Sequence, residues 1–140
     1  MTGDMEQGAA LKGRKILVVD DEDETRTLIS SILEDNGART VQAADGDEAI
    51  EMARRERPDL MTLDLNMPGK SGVDVFVALR GDPELRDIPI CIVTGRPEMR
   101  RLIYERPAHS PPEGYMDKPF TDKALVRNIR KILELRTQKG

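Results

Sequence analysis

Apolar residues in this chain gather into five short runs, at 16–19, 39–43, 60–65, 90–93 and 114–116, and each but the last is followed by a stretch with room for a helix. That alternation predicts βα units wound about a parallel sheet. The stretches between carry helical signals of their own. Leu28, Ile29, Ile32 and Leu33 line one face of the first, and Asn36-Gly37 supplies a left-handed stop. Asp45 caps the second, whose apolar positions Ala49, Ile50, Met52 and Ala53 end before Pro58. The third places Val73, Phe76, Val77 and Leu79 before Asp82-Pro83, and the last opens on Thr121 and runs through Leu125, Val126, Ile129, Ile132 and Leu133. All are amphipathic with a single apolar face.

The fourth inter-strand stretch, GRPEMRRLIYERPAHSPPEG, differs. With Pro97, Pro107, Pro111 and Pro112 it holds only two or three helical turns, predicted from Pro97 to about Glu105, with an irregular loop after them. The Gly-containing, aperiodic residues 1–13 read as an N-terminal tail, 14–136 as one α/β domain, and 137–140 as a short C-terminal tail. A length of 140 residues suits one such domain and leaves no room for a second catalytic or DNA-binding one.

Composition narrows the function classes. With 38% hydrophobic and 34% charged residues the chain buries one core under a heavily solvated surface. A net charge of -4 and a pI near 5.1 provide no global positive field for nucleic acid or an anionic membrane, so protein partners or a cation are expected. The cations of the last segment, Arg127, Arg130, Lys131, Arg136 and Lys139, are interspersed with Leu, Ile and Glu, as on a solvated helix face. Cys91 stands alone within IPICIV and reads as a core residue. There is neither a secretory signal nor a run approaching the roughly 18 apolar residues of a membrane span, and a cytoplasmic location is expected.

Chemistry concentrates at the strand ends. In an open parallel sheet, ligands bind beyond the carboxyl ends of the strands, where the strand order reverses. There the first strand ends in Asp20-Asp21, the third in Asp64, the fourth in Thr94 and the fifth in Lys118. Three carboxylates at short range repel one another. A hard cation compensates them, and Mg²⁺, which takes one or two carboxylates with waters and phosphate oxygens, suits phosphoryl chemistry.

Four ordered motifs carry a resemblance: Val19-Asp20-Asp21-Glu22; Leu63-Asp64-Leu65-Asn66-Met67-Pro68-Gly69 with Gly72 beyond; Val93-Thr94-Gly95; and Tyr115-Met116-Asp117-Lys118-Pro119-Phe120. Across roughly residues 14–136 the chain resembles the receiver domain of two-component response regulators, of the single-domain type found in chemotaxis. The resemblance implies a doubly wound, flavodoxin-like fold with five parallel strands in the order 2-1-3-4-5, and a cis Lys118-Pro119 bond. It makes Asp64 the phosphoacceptor, with Mg²⁺ or Mn²⁺ bound by Asp21 and Asp64 directly, by Asp20 through water and by the backbone carbonyl of Asn66. Lys118 is then the ammonium that pairs with a phosphoryl oxygen, Thr94 the hydroxyl that swings toward it, and Tyr115 the aromatic that turns inward.

The expected partners are a histidine kinase or phosphotransfer protein and a separate downstream protein reached through the face of the fourth helix, fifth strand and fifth helix. The molecule is expected to be a monomer or weak dimer. It is not expected to be an enzyme in its own right, although self-phosphorylation from small phosphodonors and self-dephosphorylation are. Two rivals stand beside this reading. A phosphatase of the haloacid-dehalogenase type needs a second acid two residues after its nucleophile, where this chain has Asn66. A phosphorylation-independent interaction module of receiver architecture would leave the site unused. The chain departs from the family pattern between Gly95 and Gly114, through its proline-rich stretch.

Overall fold

The computed structural model describes residues 8–105 and 109–139. Its sheet has five parallel strands in the order β2-β1-β3-β4-β5. These are β1 (Lys15–Val19), β2 (Arg39–Ala43), β3 (Leu60–Leu63), β4 (Ile90–Thr94) and β5 (Gly114–Asp117). Between them run α1 (Asp23–Asp35), α2 (Gly46–Glu56) and α3 (Gly72–Arg80), then a 3₁₀ turn (Pro97–Arg100) leading into the one-turn α4 (Arg101–Tyr104), with α5 (Asp122–Lys139) last. Fold class, strand order and the shortened fourth helix all match expectation.

The period-two alternation of the strands divides the apolar residues between two layers. Leu17, Val19, Met61, Leu63, Ile90 and Ile92 pack with Ala49 and Ala53 of α2 and with Phe76 and Leu79 of α3. Ile16, Val18, Leu60, Cys91 and Val93 pack on the other side with Ile29 and Leu33 of α1 and Leu125 and Ile129 of α5. Burying a Leu side chain fully is worth about 1.5–3 kcal/mol. Leu17, Leu33, Leu63 and Leu79 are all wholly enclosed, so both layers anchor the sheet. Because α1 and α2 leave β1 and β2 on opposite faces, and β3 then returns to the far side of β1, the strand order reverses between β1 and β3. That is where an open sheet leaves a crevice.

Helix limits follow the expected chemistry. Asp45 accepts a hydrogen bond from the Glu48 N–H at 2.8 Å, and Ala124 N–H donates to Thr121 Oγ1 at 3.1 Å. Ser71 and Asp74 form a reciprocal capping box at the start of α3. Gly37, at φ 97°, ends α1 in the left-handed conformation that only a residue without Cβ adopts at low cost.

The folded unit begins earlier than the sequence suggests. Residues 1–7 of the expected tail lie outside the described residues, but Leu11 is 1% exposed and sits in the layer of α1 and α5. Its N–H donates to Asn36 O at 2.8 Å. Ala9-Ala10-Leu11 is too short an apolar run to show a period, yet Leu11, with Ala10 partly buried beside it, packs into the layer of α1 and α5. At the other end α5 continues to Lys139, so residues 137–139 extend the helix where a tail was expected. β3 stops at Leu63, two residues short of its apolar run, while β4 and β5 take in Thr94 and Asp117. Of the proline-rich loop, residues 106–108 lie outside the described residues.

Candidate functional site

Backbone bonds extend the sheet ladder by one residue past several strands and thereby fix the site. Asp20 N–H donates to Ala43 O at 3.2 Å, Asp64 N–H to Val19 O at 3.1 Å and Lys118 N–H to Thr94 O at 2.8 Å. Each acid or cation is thus held at its α-carbon before its side chain makes any contact.

Asp20, Asp21 and Asp64 each offer one carboxylate oxygen, and the three oxygens lie within 4.8 Å of one another. Asp20 and Asp64 are buried and Asp21 half-buried. Lys118 Nζ donates to Asp20 Oδ2 at 2.7 Å and stands 3.7 Å from Asp64 Oδ2. The remaining oxygens of the two buried acids accept local amides: Glu22 N–H reaches Asp20 Oδ1 at 2.9 Å, and Asn66 N–H reaches Asp64 Oδ1 at 3.2 Å. The Lys118-Pro119 bond is cis, as expected.

The electrostatics follow from this crowding. Burial pushes the Asp64 carboxyl up from 3.8 to about 6; Lys118 opposes the rise, the charges of Asp20 and Asp21 add to it, and the Asn66 amide lowers it. Burial likewise works against the charge on Lys118. The hydrogen bond to Asp20 and the charges of Asp64 and Asp20 outweigh it and hold the ammonium above its ordinary value. Three hard oxygen donors carrying more negative charge than one ammonium balances are a donor set that fits Mg²⁺ or Mn²⁺.

Thr94 closes β4 fully buried, and its Oγ1 accepts the Arg96 N–H at 2.9 Å. Asn66 is exposed beside Asp64. Tyr115 lies two residues before Asp117 on β5, half-buried, with the Tyr104 ring 5.5 Å away and the Arg100 guanidinium 5.0 Å over its own ring. Arg100 also pairs with Asp117. Burial raises the Tyr115 phenol above its usual range. The structure therefore brings Asp20, Asp21, Asp64 and Lys118 together, places Thr94 at the end of β4, and sets Tyr115 within β5 in register with Ile92, two residues short of that edge.

Three supporting residues escaped the sequence reading. Gly72, seen only as part of a motif, packs its α-carbon against the backbone after β3: a Cβ there would lie 2.0 Å from Asp64 O and 2.6 Å from Leu65 Cα. Arg26, on α1, donates to the main-chain carbonyl of Asp20 at 2.8 Å. Arg80, its side chain 2% exposed, spends its whole guanidinium on the carbonyls of Arg86, Ile88, Ser110 and Pro111 and on Glu113 Oε1. That clamp fixes the proline-rich loop where it enters β5. In the sequence Arg80 is only a cation shortly before Asp82-Pro83.

Known proteins are similar to this chain in sequence and in fold. The family model of the response regulator receiver domain matches residues 16–130. The chemotaxis protein CheY of Pseudomonas aeruginosa is 37% identical over 121 residues, covering 86% of this chain and 96% of that protein. The phosphate regulon transcriptional regulatory protein PhoB of Escherichia coli is 36% identical over 120 residues, which are 86% of this chain and 52% of PhoB, so the chain spans about half the length of that relative. Among solved structures, the Vibrio cholerae chemotaxis protein CheY4 superposes with a TM-score of 0.75 at 30% identity, covering 85% of this chain and 98% of its own. With its fold, its acid cluster and its matched span in agreement, the chain belongs to the response regulator receiver domain family.

Proposed function

We propose that this protein is a phosphorylatable switch of two-component signalling that accepts a phosphoryl group on Asp64. The observation that carries the reading is the position of the Asp64 carboxylate, within 4.8 Å of the Asp20 and Asp21 oxygens and with Lys118 Nζ 3.7 Å away. A nucleophilic carboxylate, an oxygen donor set and an ammonium thus face one point in space.

In the proposed reaction an Asp64 oxygen forms a bond to phosphorus as the donor's P–N bond, in a phosphohistidine, or P–O bond, in acetyl phosphate, breaks. The leaving group departs with the electron pair, and water later hydrolyses the acyl phosphate to restore the carboxylate. A divalent cation held by Asp20, Asp21 and Asp64, with the carbonyl of Asn66, would supply charge neutralisation for donor and nucleophile. Lys118 holds a phosphoryl oxygen with the ammonium that now serves Asp20 and Asp64. Thr94 keeps its lone pair on the Arg96 amide and turns its O–H toward the new acceptor.

Relocation of Thr94 and Lys118 reaches β5 directly, since Lys118 N–H donates to Thr94 O. Tyr115 lies on that strand two residues before Asp117, and its movement alters the face of α4, β5 and α5. Phosphorylation shifts this equilibrium only as far as it interacts differently with the two states. The donor is a histidine kinase or phosphotransfer protein, the reader a separate protein at that face, the setting the cytoplasm, and the switch a monomer or weak dimer. Among the described residues no helix is long and apolar enough to cross a membrane.

Incubation with acetyl phosphate and Mg²⁺ tests the reading: the parent gains the mass of one phosphoryl group and Asp64→Asn does not. Equal labelling of the two overturns it, and an unlabelled parent leaves the phosphorylation-independent module.

A further inference from the structure

The acid cluster depends on a loop of three residues, Asp20 to Glu22, between β1 and α1, and its members are not held equally. Asp20 has Lys118 on one oxygen and the Glu22 amide on the other. Asp64 has the Asn66 amide and Lys118. The carboxylate of Asp21 has no hydrogen bond among the described residues, so its position is inherited from its backbone.

Arg26 fixes that backbone. Its Nη1 donates to Asp20 O at 2.8 Å, its Nη2 to Asp23 Oδ1, and its Nε to Gln42 Oε1 at 3.1 Å. The Asp20 carbonyl and the Asp21 N–H share one rigid peptide plane. One planar guanidinium therefore joins the end of β1, the first turn of α1 and the neighbouring strand β2. The side chain is only 14% exposed, although that of its partner Asp23 is 87% exposed. Stabilising the first turn of α1 through a surface ion pair would not require that enclosure.

We infer that Arg26 is a positioning residue for the divalent-cation site, locking the Asp20-Asp21 peptide so that the otherwise untethered Asp21 carboxylate is presented beside Asp64. The inference rests on the cation reading of the acid cluster given above. It adds a residue that reaches the cation only through another residue's main chain, as outer partners of metal ligands do when they set affinity.

Electrostatics and positioning predict opposite signs here. An arginine near a divalent cation repels it, so if Arg26 were a bystander charge its removal would tighten Mg²⁺ binding. If it positions Asp21, removal weakens binding despite the charge relief. Arg26→Met removes both charge and fork, and Arg26→Lys keeps the charge without the planar fork.

The test is calorimetric titration of parent, Arg26→Lys and Arg26→Met with MgCl₂ at fixed ionic strength, with urea unfolding of each alongside. Both variants are expected to bind Mg²⁺ at least about tenfold more weakly than the parent. Arg26→Lys should do so with its unfolding midpoint near that of the parent, and the Glu22 amide resonance, which reports the Asp20 loop, should shift in both. Unchanged affinity in Arg26→Lys with tighter binding in Arg26→Met overturns the inference while leaving the cation site intact. Weaker binding that only parallels a lowered unfolding midpoint also overturns it, in favour of a stability role. A parent that takes up no Mg²⁺ overturns the site reading and this inference together.

Discussion

Replacing Asp64 by Asn should stabilise the metal-free protein at neutral pH. Asp64 is 4% exposed, and its carboxyl is raised from 3.8 to about 6, with burial as the largest cause. The folded-state value lies above the unfolded one, so between about pH 4 and 6 the folded protein binds more protons than the unfolded chain and loses stability as pH rises. Above that window the ionised carboxylate opposes folding. At full strength such a rise is worth about 3 kcal/mol. Solvent screening at the site, together with the loss of one partner for Lys118 in the variant, brings the expected gain to about 1–2 kcal/mol. In urea that is a midpoint about 0.5–1 M higher for Asp64→Asn, for a slope near 2 kcal/mol per molar.

The assay is urea unfolding followed by far-ultraviolet circular dichroism at pH 7.5 and at pH 4.5, in chelator and then in Mg²⁺. The gap between variant and parent should be widest at pH 7.5 in chelator and narrow toward pH 4.5, where the parent's Asp64 is protonated when folded. Mg²⁺ should close it from the other side, because binding to the folded parent stabilises it by mass action. Coincident midpoints at pH 7.5, or a gap that does not change with pH, would refute the claim that Asp64 is a destabilised carboxylate.

Gly72→Ala should cost about 2–4 kcal/mol and impair phosphorylation of Asp64 as well, because the added Cβ meets Asp64 O at 2.0 Å and the backbone has to move; urea unfolding and acetyl phosphate labelling check the two effects. Leu11→Ala should lower stability by about 2–4 kcal/mol, a core-sized loss from a residue whose sequence context reads as a tail, and thermal unfolding measures it. Arg80→Met, which takes the guanidinium away from Glu113 and four carbonyls, should cost about 3 kcal/mol and speed hydrogen exchange at Ile90, whose N–H donates to Glu113 Oε1 at 2.7 Å.

The acidic site was legible because its residues interrupt apolar runs at places where a parallel sheet presents its carboxyl ends. Asp64 follows buried Leu63, and Asp20 follows buried Val19, so period and position identify them before any contact is known. Lys118 was readable on the same grounds, but its hydrogen bond to Asp20 was not, since it joins residues 98 apart in the chain. Arg26 and Arg80 look like ordinary helix-surface cations. Only tertiary structure reveals that one is enclosed by β1 and β2 and the other by a loop thirty residues downstream. Leu11 is hidden in the sequence because the run Ala9-Ala10-Leu11 is too short to show a period. The early end of β3 was missed because Leu65 remains wholly buried after leaving the ladder, and burial rather than pairing is what an apolar run records.

Chemical trapping asks most directly whether Asp64 is the phosphoacceptor. Protein incubated with acetyl phosphate and Mg²⁺ is reduced with borohydride, which converts an aspartyl phosphate to homoserine, and is then digested and sequenced by mass spectrometry. Homoserine should appear at position 64, with none when chelator replaces Mg²⁺. Homoserine at Asp20 or Asp21 instead, or an unmodified chain after efficient phosphodonor turnover, would contradict the account.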